Sequence, residues 1–237
     1  MPLTDPALPD PADPAAAMAE THDGDGRLVS RVPLRAGRPH GRLECFYPDG
    51  SLRLDAEYAH GELSGLLRAY AADGSVEYEA HYAGGQLHGI STTYLDGRRQ
   101  ARQQYAHGQL EGESVCYAAS GDVTARCLYR QGRLEDEAVY AHEGAVVRRS
   151  RFRAGRLDGE TREYGAGGAL VQALPYRAGL LHGVARRFGA AGEVAATRGY
   201  AAGKPRGDWQ PAAAADDGDG TELPAGFAQR LERWLRG

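Results

Sequence analysis

The stretch Tyr82-Ala83-Gly84-Gly85-Gln86-Leu87-His88-Gly89 constrains the fold more than any other feature, because it recurs. An aromatic stands three residues before a Gly, a Leu two after it, and another Gly four after it. The same frame appears as Tyr58…Gly61…Leu63…Gly65, Tyr105…Gly108…Leu110…Gly112 and Phe152…Gly155…Leu157…Gly159. A unit repeated in tandem buries its apolar face against its neighbours, so the period fixes the architecture.

Three glycine columns run through eight units. Each unit opens on Gly26, Gly50, Gly74, Gly97, Gly121, Gly144, Gly168 or Gly192, at spacings of 24, 24, 23, 24, 23, 24 and 24 residues. A second glycine follows eleven residues later in every unit, from Gly37 to Gly203. A third follows fifteen residues after the opener, except in unit five, where Asp136 takes its place. Eight after the opener stands Leu34, Tyr58, Tyr82, Tyr105, Tyr129, Phe152, Tyr176 or Tyr200.

Each unit reads as a β-hairpin. Asp49-Gly50, Asp73-Gly74 and Asp96-Gly97 are two-residue turn signals, and His60-Gly61, Gly84-Gly85 and His107-Gly108 fill the other turn. Between turns the alternation has period two: Leu52, Leu54, Ala56 and Tyr58 share one face, while Arg53, Asp55 and Glu57 share the other. A tight turn at His60-Gly61 predicts that Tyr58 faces Leu63 and that Ala56 faces Gly65. The third glycine would then make room for the tyrosine ring. The second aromatic column (Phe46, Tyr70, Tyr94, Tyr117, Tyr164, Phe188) falls on the opposite face unless the strand carries a bulge, and spacing does not decide between the two.

The expected organisation is all-β over residues 26–210: about sixteen strands in one elongated antiparallel sheet of tandem hairpins. Residues 1–25 are rich in Pro, Ala and Asp, carry six acids and no Lys or Arg, and read as a disordered tail. Residues 211–221 read as a linker. Residues 222–237 read as a short amphipathic α-helix, with Phe227, Leu231, Trp234 and Leu235 at helical spacing. Such a helix is marginal alone and should dock, either on the open end of its own sheet or on a partner or membrane surface.

At this point the unit resembles the bacterial variant of the MORN repeat, over residues 26 to about 210; units one and five depart from the pattern. That resemblance implies a long single-layer sheet of consecutive hairpins and a binding role without catalysis. Bacterial proteins of this variant include antitoxin or immunity components of the YwqK type. Eukaryotic relatives are linked to scaffolding and to membrane phospholipids. The YD repeat of large toxin shells also uses glycine-turned hairpins, but its Tyr-Asp pair is absent from these columns.

The side chains bear on chemistry mainly by exclusion. Cys45, Cys116 and Cys127 have no regular pairing, which argues against a disulfide framework and fits a reducing compartment. No basic-then-apolar leader opens the sequence, and no run approaches the roughly 20 apolar residues of a membrane span, so a cytoplasmic protein is expected. The array of residues 26–211 holds 25 bases and 21 acids, too slight an excess to imply nucleic acid. His40, His88 and His182 share the position before the third glycine, and His60 and His107 share a turn position. The intervening units break the row, so turn residues are expected rather than metal ligands. No nucleophile–base motif or phosphate loop appears, so no enzyme, cofactor or metal is expected. The candidate partner-binding residues are the run Arg148, Arg149, Arg151, Arg153 and Arg156, with Arg149, Arg151 and Arg153 on one strand face, together with Tyr70, Tyr94 and Tyr117. Arg and Tyr are enriched at binding hot spots, and the expected partner is an acidic protein, with anionic lipid and self-association as alternatives.

Overall fold

A computed structural model of the chain describes residues 16–212. The expected C-terminal helix, and all of the expected linker except Pro211 and Ala212, lie outside the described residues. Within them there is no α-helix; the chain forms twenty strands, joined by hydrogen bonds into an antiparallel sheet. The described residues divide into two compact units, 16–146 with 151–156, and 147–150 with 157–212.

The first unit contains β1 (Ala16–His22), β2 (Leu28–Arg35), β3 (Arg38–Pro39), β4 (Gly41–Phe46), β5 (Leu52–Ala59), β6 (Glu62–Tyr70), β7 (Val76–Ala83), β8 (Gln86–Leu95), β9 (Arg98–Ala106), β10 (Gln109–Tyr117), β11 (Val123–Arg130) and β12 (Arg133–His142). The division falls inside β13 (Ala145–Arg153) and again within β14 (Arg156–Leu157). The second unit contains β15 (Gly159–Tyr164), β16 (Leu170–Arg177), β17 (Leu180–Leu181), β18 (Gly183–Phe188), β19 (Val194–Ala201) and β20 (Lys204–Pro211). One expectation is corrected at the N-terminus. Residues 16–22, assigned to the disordered tail, form β1, which pairs with β2 from Ala16↔Arg35 to His22↔Leu28. The strand adds a seven-residue ladder to an edge that was already formed, which composition alone does not reveal.

The two turns of each unit differ in kind. At the second glycine both central residues have positive φ, as at His60 (φ 55°) and Gly61 (φ 92°), which matches the twist of the flanking strands. The opener turn comes in two lengths. At Gly50 the Tyr47 N–H donates to Ser51 O and the Gly50 N–H donates to Tyr47 O, giving a three-residue loop. Asp49 accepts from the Ser51 N–H and hydroxyl, and the same bonds hold Asp73 to Ser75. The two-residue turn expected at Asp49-Gly50 and Asp73-Gly74 is therefore corrected, while Asp96-Gly97 is such a turn, with φ 50° and 71°. Glu143-Gly144 is the other, with φ 50° and 77°. Those two openers are the ones that follow a 23-residue interval: the period shortens by one where the loop shortens by one.

The pairing prediction holds in half. Tyr58 faces Leu63, Tyr82 faces Leu87 and Tyr105 faces Leu110. Ala56, however, faces Leu67, because the register shifts between Ala56 and Tyr58. Gly65 faces Tyr82 of the next unit instead, and Gly41 faces Tyr58 likewise. The third glycines lie at φ between 108° (Gly112) and 123° (Gly65), save Gly207 at 79°. A Cβ on Gly65 would stand 2.9 Å from Glu57 Cβ, and one on Gly89 would stand 3.2 Å from His81 Cβ. The column is glycine for its backbone angle and for the neighbouring strand, not to admit the ring of its own unit.

Among the described residues no second layer covers the strands, and the bulkiest side chain wholly removed from solvent is Ser150. On the tyrosine face of the first unit the buried row is small: Ala56, Ala80, Ser91, Ser114 and Ala138. Ser150, Thr161 and Ala185 continue that pattern in the second, where the Thr161 hydroxyl donates to Ser150 Oγ at 3.2 Å. Small residues here let the larger Tyr and Leu side chains on either side stay half-buried against the ladder.

Candidate protein-binding surface

The face opposite the tyrosines carries the charge. Two repeat positions, five and eighteen residues after the opener, meet across adjacent strands. In the first unit they form the row Arg31, Glu44, Asp55, Arg68, Glu79, Thr92, Arg102, Val115, Arg126, Val139, which Glu20 of β1 extends by facing Arg31. Acids and arginines are equal in number along it, and ion pairs cross-link it. Arg31 Nε lies 2.6 Å from Glu44, Arg42 2.7 Å from Asp55, and Arg126 2.7 Å from Glu113. Exposed pairs of this kind contribute little to stability, so their chief consequence is a neutral surface.

The second unit breaks that balance. There the same repeat positions form the row Arg149, Arg162, Ala173, Arg186, Thr197, Gln210. It holds three arginines and no acid. Glu160 is shared by two of them, at 2.8 Å from Arg162 Nε and 3.6 Å from Arg186 Nη1. The Arg162 and Arg186 side chains are about half exposed, at 55 % and 46 %. Beside them Val184 is 48 % exposed. Guanidinium groups in a row with an apolar neighbour suit bidentate contacts to carboxylates.

The other face of the second unit differs again. Positions that are Ser30, Cys45, Leu54, Ala69, Tyr78 and Thr93 in the first unit become Arg148, Glu163, Gln172 and Arg187 in the second. Arg148 faces Glu163 directly. Burial pushes the Glu163 carboxyl above the usual range, and Arg148 opposes that shift. Arg187 lies over the Trp209 ring, 4.2 Å from its centre.

The run singled out in the sequence is thus divided. Arg148 and Arg149 belong to the second unit and point to opposite faces; Arg151, Arg153 and Arg156 belong to the first and are exposed. Arg186, Arg187 and Trp209 escaped notice because they stand apart in sequence. Reading positions five and eighteen across all units would have exposed the change from a mixed row to an arginine row.

The second aromatic column lies on the charged face. A register shift accompanies it in each hairpin, as between Ala69 and Tyr70, without carrying the ring across. The Tyr70 hydroxyl donates to Asp55 at 3.2 Å and the Tyr94 hydroxyl donates to Glu79 at 3.0 Å. Burial first, then these carboxylates, raise both phenol pKa values. Tyr117 holds the equivalent place at the end of β10 and is half-buried.

The histidines have a structural task. Five of the residues that precede the third-glycine position reach the following turn. His40 Nδ1 accepts from the His60 N–H at 3.4 Å, Glu111 from the Gln131 N–H at 2.7 Å, and Glu135 from the Ala154 N–H at 2.8 Å. In the second unit Asp158 accepts from Ala178 and His182 from Ala202. In these five units the position supplies an acceptor, which His, Asp and Glu all provide. Among the described residues no three His, Cys, Asp or Glu side chains lie close enough to hold a metal ion. The cysteines form no disulfide. No protein-family model matches the chain, and no curated protein matches it.

Proposed function

We propose that the chain is a non-enzymatic binding array that holds an acidic protein partner against the charged face of its second unit. One observation carries the reading. The repeat positions that carry both acids and arginines in the first unit carry no acid in the second, where Arg149, Arg162 and Arg186 stand among Ala173, Thr197 and Gln210. The absence of an acid at these positions on every strand from β13 to β20 that carries one of them is a property of the surface rather than of one residue. Exposed Arg beside Val184 and Tyr164 gives the mixture enriched at binding hot spots. The narrower role, neutralisation of a toxin as an antitoxin or immunity protein, rests on the resemblance of the hairpin unit to the bacterial MORN-type repeat. Scaffolding of other proteins is the alternative from the same resemblance. A cytoplasmic setting fits both.

The test is co-expression with the product of the neighbouring gene. The expected result is co-elution that weakens as salt rises to about 0.3 M, and relief of any toxicity of that product. Arg162→Glu with Arg186→Glu should weaken binding by about tenfold or more, while Arg68→Glu in the balanced row should not. Separate elution with unchanged toxicity removes neutralisation and leaves scaffolding. Cosedimentation with anionic vesicles that is lost on changing Arg149, Arg151 and Arg153 to Ser would instead favour a phospholipid surface.

A further inference from the structure

We propose that Arg187 and Arg198, on the tyrosine face of β18 and β19, bind a phosphomonoester group, with Trp209 holding the first guanidinium in place. The site lies on the face opposite Arg149, Arg162 and Arg186, so it does not rest on the partner proposed for that row.

Three repeat columns change together at this place. Six residues after the opener the first seven repeats carry Val, Ala, Ala, Gln, Cys, Ser and Leu, and the eighth carries Arg198. Nineteen after it, Arg187 of the seventh repeat stands where the first six carry Cys, Ala, Thr, Cys, Tyr and Glu. Seventeen after it, Trp209 of the eighth stands where the others carry Leu, Leu, Ser, Ser, Ala, Thr and Ala. Terminal repeats often depart from their pattern to cap an array, but a cap needs a polar surface and not two cations side by side.

The three side chains meet. Arg187 faces Ala196 and Arg198 faces Ala185, so the two arginines are diagonal neighbours on adjacent strands, about 7–8 Å apart. Arg187 reaches over β19 to Trp209, where its guanidinium carbon lies 4.2 Å from the ring centre. Arg198 lies 5.6 Å from the centre of the Tyr200 ring, and its Nε donates to Gly207 O at 2.9 Å. Gly207 and Trp209 are two residues apart on β20, no more than about 7 Å, so both guanidinium groups end over one stretch of that strand.

The nearby acids do not cancel the pair. Glu163, on the same face, stands opposite Arg148, and Glu160 serves Arg162 and Arg186 on the other face. Glu193 lies against Gly189, beyond the end of β18. Asp208, between Gly207 and Trp209, is exposed and joins no ion pair among the described residues; against it the two arginines leave one positive charge in excess. A guanidinium stacked on a ring keeps its N–H edge outward, and that edge matches carboxylate or phosphate oxygens in its own plane. Stacking also orders two long side chains before a ligand arrives, which lowers the cost of binding. One such edge serves a carboxylate. A phosphomonoester carries about 1.5–2 negative charges and three acceptor oxygens, which two arginines satisfy. An anionic bilayer would bring many charges at once and would meet Asp208 as well.

The reporter is Trp209 itself. The chain has two tryptophans, so the full chain with Trp234→Phe carries Trp209 alone. Its fluorescence is titrated at fixed ionic strength with inorganic phosphate, with a short phosphoserine peptide and with the same peptide unphosphorylated. The expected result is a saturable change with the two phosphate probes and none with the plain peptide. Arg187→Gln, at an exposed position, and Arg198→Lys should each weaken binding by about tenfold or more. Arg186→Gln, one residue away on the opposite face, should leave it unchanged. A retained β-sheet circular dichroism spectrum shows that each variant is folded. Tighter binding of the phosphopeptide than of inorganic phosphate assigns the group to a phosphorylated protein, and equal binding assigns it to a small phosphate compound. No saturation with either phosphate probe overturns the proposal and leaves the cluster as a cap. An equal loss in Arg186→Gln also overturns it, because it would mean a general field rather than a site. Neither result bears on the arginine row of the other face, which co-elution reads separately.

Discussion

The residue that most limits substitution in this molecule is the third glycine of each unit. Gly65 sits at φ 123°, and an added Cβ would fall 2.9 Å from Glu57 Cβ. Both conditions penalise any L side chain, the angle by sterics within the residue and the contact by displacement of β5. Gly65→Ala is therefore expected to cost about 1–3 kcal/mol. Asp136 offers the reverse experiment. It occupies the same column at φ 57°, inside the left-handed region that Asp tolerates at some cost. Asp136→Gly should raise stability by about 0.5–1 kcal/mol, since it relieves that angle without removing a described contact. Chemical denaturation of the two variants beside the parent reads both signs at once. A silent Gly65→Ala would show that the strand absorbs the change and that the steric account is wrong. The same scale gives His40 and His182 their place before this glycine: each accepts from the turn of the next repeat, as Glu111 and Asp158 do.

The hairpin is the element, and its two turns have different freedoms. The turn at the second glycine is docked on the unit before it: the Gly61 N–H donates to Pro39 O, Gly85 to Leu63 O and Gly108 to Leu87 O. Among the described residues the opener turn has no such backbone link, only side-chain ones such as Arg98 Nη1 donating to Ala119 O, and it already occurs with two and with three residues. An Ala inserted between Leu95 and Asp96, restoring the 24-residue interval, should lower Tm by no more than about 2 °C. The same insertion between Ala59 and His60 breaks the docked turn, and a loss of about 2–3 kcal/mol corresponds to roughly 4–12 °C for a chain of this size. Thermal melts of the two variants decide the matter, and equal losses would refute the distinction. Hairpins, turn positions and the Tyr58–Leu63 pairing were legible in sequence because glycine and period-two alternation are local signals. The register beyond Tyr58 was not, because a bulge changes the partner of Ala56 without changing any local pattern. Residues 16–22 were misread for a related reason: Ala and Thr form a strand there only because β2 offers an edge.

Over the whole molecule, the candidate surface was legible only in outline. The run from Arg148 to Arg156 advertised charge, but facing and grouping depend on register, which sends Arg148 toward Glu163 and Arg149 toward Arg162. The tyrosines are a different case, because their column was plain and their collective titration can be derived. Burial raises the phenol pKa of Tyr82 to about 12, with Tyr78 adding to the shift. Burial is also the first cause of the upward shifts at Tyr70, Tyr94, Tyr105 and Tyr129 in the first unit and Tyr176 in the second. A folded-state pKa above the unfolded value of about 10 means that folding favours the protonated phenol. That stabilisation is complete below pH of about 10 and is lost as pH rises towards 12. Each phenolate formed must leave its half-buried site, and neighbouring units depend on one another for their ladders. The β-sheet circular dichroism signal should therefore collapse over the same interval in which phenolate absorbance rises. The absorbance change should be steeper than that of independent phenols. Tyrosines that ionise near pH 10 while the β signal persists would show that the column is solvent-accessible and that burial of its rings contributes little to stability.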